Sequence, residues 1–335
     1  MFGDSIGRIA GLSSQPNGVS VGGGPPVDIG IPIGSSRASK VGDHNAALPV
    51  DRIYFNFNHF HGALDATVGA NPIAATDSQS INRYTFGWER TFLEGLWSVE
   101  LRMPFTETYG LAIPALGGTA TGGGNVGNLA VVLKRMIYET DDTVVALGLV
   151  LDTPTGEGTF ARIGTTNYLI DNNVMGILPY LGMLYSPDDR HFMHAFLQTD
   201  IPLGDNTVHT ADAIGMPLAG NLENFTQPTL MYLDVSGGYW LYQDPSAAHI
   251  TGLAALLEFH YTTTLHQGQS LIRAIPTDTF RLGSRSIYSD VVNLTVALDA
   301  QFANRWNVRI GGVIPLGADD RFFDSELAVQ ATRYF

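Results

Sequence analysis

Histidine is the residue type in this sequence best suited to hold a metal ion or to act as a base. The chain has nine histidines, and His59 and His61 are two residues apart, so in a β-strand both imidazoles would lie on one face. Metal sites use such a spacing, but no close carboxylate partner accompanies the pair. His191 and His194 are three residues apart, which places them on opposite faces of a strand. We therefore predict no metal site.

Two glycine motifs match enzyme signatures by their letters only. Gly3-Asp-Ser-Ile-Gly7 matches G-x-S-x-G, but two residues before it cannot form the strand that a nucleophile elbow requires. Gly122-Gly-Gly-Asn-Val-Gly127 matches G-x-G-x-x-G, but it leads into a strand-like segment and not into the helix that would hold a pyrophosphate. The sequence therefore predicts that the protein is not an enzyme and binds no cofactor.

The composition is poor in charge and free of cysteine. Charged residues make up 15% of the 335 residues, and glycine occurs 38 times. A soluble globular domain has about 25% charged residues. The net charge of −14 would repel a nucleic acid, and Lys40 and Lys134 alone form no basic patch for an anionic surface. The sequence thus excludes a nucleic acid partner and a disulfide framework.

Apolar runs are too short for a helix that spans a membrane. The longest, from Val174 to Tyr185, is broken by glycine and proline, whereas such a helix needs about 20 apolar residues. The first residues have neither the basic nor the apolar region of a signal peptide, and we expect that a signal was removed or lies outside this numbering.

The pattern changes near residue 50. Residues 1–50 are rich in Gly, Pro and Ser without a lasting period, which predicts an extended N-terminal arm, or a plug that packs in a lumen. Residues 51–335 alternate apolar and polar side chains in short segments, which predicts an all-β domain. We expect twelve strands, near 51–60, 81–91, 95–104, 127–138, 142–152, 174–186, 190–201, 229–242, 249–262, 288–302, 305–314 and 324–335.

The connections between these segments alternate in length. Residues 92–94, 139–141, 187–189, 243–248 and 303–304 are short, and 61–80, 105–126, 153–173, 202–228, 263–287 and 315–323 are longer. Strict alternation places all short turns at one end of the sheet. Membrane β-barrels have this asymmetry, whereas sandwiches with Greek-key connections do not usually sort their loops.

The C-terminal segment 324–335 alternates Leu327, Val329 and Ala331 with polar residues and ends on Tyr334-Phe335. It resembles the terminal strand of bacterial outer-membrane β-barrels, although Arg333 occupies a position that is usually apolar. The resemblance implies an antiparallel up-and-down barrel of about twelve strands with periplasmic N- and C-termini. To close it, the last strand should lie beside the first, and we expect closure through Tyr54, Asn56, Asn58, Gln330, Thr332 and Phe335.

Aromatic residues concentrate beside the short turns, which is typical of an interfacial girdle. We expect this ring to contain Phe92, Trp97, Tyr138, Tyr185, Phe192, Tyr239, Trp240, Tyr242, Phe302, Trp306, Tyr334 and Phe335.

The polar face of the strands is the expected interior, and it carries charges of both signs. We predict that the lumen is lined by Arg83, Glu89, Glu100, Arg102, Lys134, Asp234, Glu258, His260, Asp299, Arg305, Arg309 and Glu326. Such a face fits a water-filled pathway with a transverse field, or a closed barrel filled by ion pairs. Both interpretations stay open at this point.

The whole pattern of residues 51–335 is similar to porin-like channels and to FadL-type or MetA-type (phenol-degradation-pathway) barrels. The resemblance implies a location in the bacterial outer membrane and passive passage of a small solute. It also implies outer-membrane lipid, lipopolysaccharide and the barrel-assembly machinery as partners, with a homo-oligomer or other envelope proteins as further partners. Two alternatives are a non-conducting barrel that anchors an assembly through its N-terminal arm, and a secreted β-sandwich.

Overall fold

The computed structural model describes residues 9–16, 27–32, 46–68, 75–107, 110–113, 118–121, 126–163, 166–211, 217–269, 271–274, 278–284, 290–303, 305–317 and 321–335. In chain order the strands are β1 (Ile9–Pro16), β2 (Val27–Pro32), β3 (Arg52–Val68), β4 (Ala75–Phe92), β5 (Trp97–Thr106), β6 (Gly110–Ile113), β7 (Gly118–Thr121), β8 (Ala130–Glu139), β9 (Thr143–Asp152), β10 (Thr159–Ile163), β11 (Thr166–Ile170), β12 (Met175–Tyr185), β13 (His191–Leu203), β14 (Asn206–Ala211), β15 (Pro217–Phe225), β16 (Thr229–Gln243), β17 (Ile250–His266), β18 (Leu271–Ala274), β19 (Asp278–Ser284), β20 (Asp290–Phe302), β21 (Trp306–Pro315) and β22 (Ser325–Tyr334). None of the residues in these ranges forms a helix long and apolar enough to cross a membrane.

Twelve of these strands close into one antiparallel barrel. Around the barrel the order is β3, β4, β5, β8, β9, β12, β13, β16, β17, β20, β21 and β22, and β22 pairs with β3. Each strand therefore lies beside its neighbours along the chain, and only the last pairing joins distant parts of the sequence. The predicted up-and-down topology and the number of strands are confirmed.

Alternation along each strand explains why the sheet closes. In β22, Glu326, Ala328, Gln330 and Thr332 are buried, whereas Leu327 is exposed. Since alternate side chains point to opposite faces, one face of the closed sheet forms the interior and the other the outside. The outside carries exposed apolar side chains, such as Ile53, Phe86, Leu101, Leu133, Leu147, Leu181, Leu197, Leu233, Leu257, Val296, Leu298, Ile310 and Leu327. A belt of this kind faces the hydrocarbon of a bilayer.

The connections alternate as predicted, with one exception. The short turns are 93–96, 140–142, 186–190, 244–249 and 303–305, and they share one end of the barrel, here called the short-turn end. The opposite, long-loop end carries the other connections, in which β6, β7, β10, β11, β14, β15, β18 and β19 form small antiparallel hairpins. The prediction of a long first loop at 61–80 was wrong, because β3 and β4 extend through most of it with one irregularity after Phe60.

The segment before residue 51 contacts both ends of the barrel. Strand β2 pairs with Ala66 to Val68 of β3, and β1 pairs with β19, so this hairpin lies at the long-loop end. Residues 46–50 lie inside the barrel, where Ala47 packs on Val132, Leu178 and other inward-facing residues of β8, β9, β12 and β13. Residue 51 then leads into β3 at the short-turn end. The boundary at residue 50 stays a prediction.

Large aromatic rings lie over glycines on the inner wall. A Cβ atom at Gly87 would meet the Tyr54 ring, and one at Gly148 would meet the Tyr180 ring. In both cases the glycine and the tyrosine are direct cross-strand partners. The same arrangement pairs Gly182 with Phe196 and Gly238 with Phe192, and the Trp240 ring lies over Gly252 without being its direct partner. Because glycine has no Cβ, the ring can lie against the wall. There the ring fills the surface of the sheet and protects its backbone.

The aromatic girdle is only partly as predicted. Phe92, Tyr138, Tyr242 and Tyr334 are exposed at the short-turn end, and Phe92 stacks on Trp97 with a centroid distance of 6.2 Å. Phe192 and Trp240 were expected in this ring but instead cover inner-wall glycines. Phe192 and Trp240 occupy those alternate positions of β13 and β16 whose side chains point inward, which explains why they do not belong to the outer ring.

Candidate functional site

The barrel interior is the candidate site, because it gathers nearly all buried charge of the described chain. Eleven of the twelve residues predicted to line the lumen lie on the inward face. Ten of them are buried, and the eleventh, Arg309, has a side chain that is 16% exposed. The ten are Arg83, Glu89, Glu100, Arg102, Lys134, Asp234, Glu258, His260, Asp299 and Glu326.

Glu89 of β4 is the centre of one ionic cluster. One of its carboxylate oxygens accepts from Arg52 Nε at 2.8 Å, and the other accepts from Lys134 Nζ at 2.9 Å and from Ser98 Oγ at 2.7 Å. The main-chain N–H of Val50 also approaches this second oxygen, at 3.3 Å. Buried charge is tolerated only when it is paired and hydrogen-bonded in this way. Glu89 thus joins three barrel strands to the segment inside the barrel.

Glu100 of β5 continues the cluster along the wall. Arg102 Nε donates to it at 2.6 Å, the Tyr54 hydroxyl donates to the same oxygen, and an Arg52 amino group lies 3.5 Å from the other oxygen. Together the two glutamates face three cations, since Arg52, Arg102 and Lys134 all point into the cluster. This wall therefore carries a net positive charge.

Lys134 of β8 reaches beyond the wall. Its ammonium group donates to the carbonyl oxygen of Ala46 at 2.9 Å and to that of Leu48 at 3.2 Å. An ammonium has three donors, and with Glu89 all three are used. Lys134 is thus the residue that holds residues 46–50 in the interior.

The wall across the barrel is acidic. On β16 and β17, His260 Nδ1 lies 2.9 Å from Asp234 Oδ1, and His260 Nε2 lies 3.0 Å from the Thr295 hydroxyl of β20. Glu258 accepts from Ser236 at 3.1 Å and lies 3.6 Å from His260 Nε2. In the order of strands around the barrel, β16 and β17 lie opposite β4 and β5.

A second ion pair on the acidic side lies nearer the short-turn end. Arg309 of β21 donates to Asp299 Oδ2 of β20 through Nε at 2.8 Å and through a terminal amino group at 2.7 Å. Asn307 donates to the other oxygen of Asp299. Both donors of Arg309 thus reach the same carboxylate oxygen, and such charge-assisted hydrogen bonds are among the strong ones.

The closure seam, formed by the inner faces of β3 and β22, is mainly uncharged. Gln330 is paired with Asn56 and Thr332 with Tyr54, and the main-chain N–H of Phe335 donates to Asp51 at 3.2 Å. Asn58 donates to Glu326 at 2.7 Å, so this carboxylate, one of the few charged groups of the seam, is hydrogen-bonded. Strand β22 therefore lies beside β3, as the sequence predicted.

Arg305 is the exception among the expected lumen residues. It lies in the turn after β20 with a positive φ of 65°, and its side chain is exposed. Counting back along β21 by alternate residues would place Arg305 on the inner face. Because the strand begins only at Trp306, the Arg305 side chain lies instead at the mouth of the barrel. The placement of Arg305 in the lumen was therefore wrong.

Two groups of interior residues were missed. Arg52 lies two residues before Tyr54, so its side chain points to the same face as those of Tyr54 and Asn56. This alternation could have identified Arg52 from the sequence. The apolar patch under Ala47 could not be found in this way, because valine and leucine on an inner wall look like lipid-facing residues in the sequence. Only the closed sheet shows which side of β8, β9, β12 and β13 faces inward.

The motifs considered for catalysis do not form a site in the described residues. Residues 3–7, and most of 122–127, lie outside them. His59 Nδ1 lies 2.6 Å from Asn82 Oδ1, and His61 Nδ1 lies 3.2 Å from the Ser80 hydroxyl. Both histidines are thus engaged by the neighbouring strand β4.

Comparisons of sequence and structure give different results. No protein-family model matches the sequence, and no curated protein matches it. The crystal structure of the COG4313 outer membrane channel from Pseudomonas putida F1 is similar to 89% of this chain and to 100% of its own, with a TM-score of 0.57 and 11% identity. The β domain of the Bordetella autotransporter BrkA (11% identity, 86% of this chain, 100% of its own, TM-score 0.48) and the NanC porin (8%, 85%, 99%, TM-score 0.45) are less similar.

At 11% identity the likeness to the first of these structures concerns the fold. It agrees with the closed sheet of twelve antiparallel strands and with the apolar outer belt. The chain is therefore a β-barrel with the fold of bacterial outer-membrane channels.

Proposed function

We propose that this protein is an outer-membrane channel for small solutes whose lumen is occupied by residues 46–50 in the conformation described. The observation that carries the proposal is the bonding of Lys134 to the main chain of Ala46 and Leu48. This buried cation binds, besides Glu89, a segment that is not part of the wall. When that segment leaves, the wall exposes polar groups that water can hydrate.

The charges of the wall support a pathway with a transverse field. The basic cluster around Arg52, Arg102 and Lys134 lies opposite Asp234 and Glu258. Charges of opposite sign on facing walls orient polar solutes and filter ions by the field between them.

We expect a preference for cations. The inward-facing described residues include eight carboxylates, Glu89, Glu100, Asp152, Asp200, Asp234, Glu258, Asp299 and Glu326. They include five cations, Arg52, Arg83, Arg102, Lys134 and Arg309. The excess of negative charge in a low-dielectric barrel attracts cations.

We infer that the short-turn end faces the periplasm, because outer-membrane barrels have short periplasmic turns and longer external loops. On that orientation both ends of the barrel domain are periplasmic and the hairpin β1–β2 is external. Outer-membrane lipid, lipopolysaccharide and the barrel-assembly machinery remain proposed partners, as does a second copy of the chain. We further propose that the protein has no catalytic role.

Single-channel recording in planar bilayers tests this function, with the full chain compared with a chain that lacks residues 1–50. We expect rare or small openings from the full chain and stable, larger, cation-selective openings without the segment. Heat-modifiable migration on gels serves as the folding control for both proteins. A folded barrel that is silent in both forms would favour the alternative function, a non-conducting barrel that anchors an envelope assembly.

A further inference from the structure

Asn56 is a fully buried side chain whose polar atoms have no partner. It lies on the inner face of β3 with 0% exposure, and neither its Nδ2 nor its Oδ1 makes a hydrogen bond. A buried amide without partners is unfavourable, and an apolar side chain of similar size would avoid the cost. The amide at this position therefore indicates a role other than packing.

The neighbours of Asn56 are also polar and uncharged. Its cross-strand partner on one side is Gln330 of β22, and on the other side it is Thr85 of β4. Thr332 lies one inward-facing position from Gln330 towards the short-turn end. All four side chains face inward and are at most 7% exposed. They form a patch of two amides and two hydroxyls, here called the amide patch.

The amide patch borders charged groups on both sides. Gln330 is also the direct partner of Arg309 in β21, and Arg83 is the next inward-facing residue beyond Thr85 on β4. The four side chains of the patch themselves carry no charge. An amide offers a donor and an acceptor side by side, and a hydroxyl offers both in one atom. This set matches a ligand whose own groups are hydroxyls.

We propose that Asn56, Gln330, Thr85 and Thr332 form a binding subsite for an uncharged polyhydroxylated solute, a sugar or polyol, on the inner wall at the closure seam. The proposal rests on the channel function proposed above and names the class of solute. Because Asn56 is fully buried in the described conformation, the proposal includes a rearrangement of the lumen that opens the inner wall at the seam. The unpartnered amide then recovers its hydrogen bonds from the solute.

Two measurements with the full chain test the subsite, with sorbitol and glucose as probes. The first is the swelling rate of proteoliposomes in each probe, and the second is calorimetric binding of glucose to the protein in detergent. The variants are Asn56→Leu and Gln330→Leu, and Asn82→Leu is the control, because Asn82 is an amide on the opposite face of the neighbouring strand. Heat-modifiable migration verifies folding, and Gln330→Leu serves alone if Asn56→Leu does not fold.

We expect each seam variant to bind glucose at least about fivefold more weakly than the wild type, the loss that one hydrogen bond brings. Swelling in sorbitol should slow in the same variants, whereas Asn82→Leu should behave like the wild type. Equal binding and swelling in all four proteins would overturn the subsite. A higher melting temperature of Asn56→Leu with unchanged glucose binding would also overturn it, since the amide would then be a mere packing defect.

The outcomes separate this subsite from the channel function. Ion conductance without any effect of the seam variants on sugar leaves the channel intact and refutes the subsite. Calorimetric binding that depends on Asn56 and Gln330 in a barrel without conductance supports the subsite and refutes the channel.

Discussion

Lys134 Nζ lies 2.9 Å from Glu89 Oε1 inside the barrel, and both side chains are fully buried. The same ammonium group donates to the carbonyl oxygens of Ala46 and Leu48. A single cation thus joins two barrel strands to the segment that occupies the lumen. Because a buried charge needs every partner it has, this contact couples the position of the segment to the state of the wall.

Replacing Lys134 by Met should release residues 46–50 and raise the open probability of the channel. Glu89 keeps Arg52 and Ser98, so we expect the barrel to fold, with a loss of about 1–3 kcal/mol in the free energy of unfolding. Single-channel recording measures the effect. The matched control is Arg135→Met, an exposed cation on the outer face of the same strand. An open probability equal in both variants would show that Lys134 does not hold residues 46–50 in the lumen.

Gly87→Ala should destabilise the barrel, because the added Cβ would occupy the space of the Tyr54 ring. The ring would have to leave its place on the wall, and with it the hydroxyl that donates to Glu100. Overpacking of this kind costs about 1–3 kcal/mol.

Gly237→Ala is the control for this change, since a Cβ there meets no atom within 4 Å. Its effect should stay within about 0.5 kcal/mol. Urea unfolding in detergent, followed by tryptophan fluorescence, compares the two. Similar midpoints for both variants would contradict the close approach of ring and glycine.

Arg309→Gln should make the channel more cation-selective. The change removes the two-point contact to Asp299, whose negative charge is then no longer compensated, although Asn307 still donates to it. Reversal potentials in a KCl gradient measure the shift. Arg305→Gln removes a cation of the mouth and should change selectivity less, because exposed charges are screened by salt. Equal shifts for both variants would place Arg309 outside the conducting pathway.

A disulfide across the closure seam should form between Phe55→Cys and Ala331→Cys, because these residues are direct partners in β3 and β22. The natural chain has no cysteine, so the engineered pair would be the only one. Partners in an antiparallel pair have the Cα separation that a disulfide needs. Altered mobility of the unfolded chain without reductant reports the link. The pair Phe55→Cys with Val329→Cys is offset by two residues and should link poorly.

The turn 186–190 should contribute stability that depends on acid. Asp188 accepts from the His191 ring and from the main-chain N–H groups of Arg190 and His191, and these bonds lower its pKa to about 2. A lowered pKa in the folded state stabilises the fold above the ordinary value of 3.8, and this contribution disappears as the pH falls through about 2. Asp188→Asn should therefore lower the melting temperature at pH 6 but not below pH about 2. A difference that persists in strong acid would contradict this cause.

Much of the barrel could be predicted from local sequence, and the predictions that were wrong also have local causes. The strand β20 alternates so regularly that its inward residues, such as Asn293 and Asp299, could be assigned correctly. The first long loop could not, because the polar run of 75–80 has no apolar alternation even though it is paired with β3. Phe192 and Trp240 were assigned outward because lipid-facing aromatics are common, whereas glycines on the neighbouring strands create room for them inside.

The sequence by itself determined the class of fold, the twelve barrel strands, the end at which the short turns meet and the face on which the charges lie. These depend on periods of two residues and on turn lengths, which are properties of neighbouring residues along the chain. Only the tertiary structure decided which charges meet. The pairing of Glu89 with Lys134, the place of Ala46 and Leu48 inside the barrel, and the unpartnered amide of Asn56 all depend on how the closed sheet brings distant strands together.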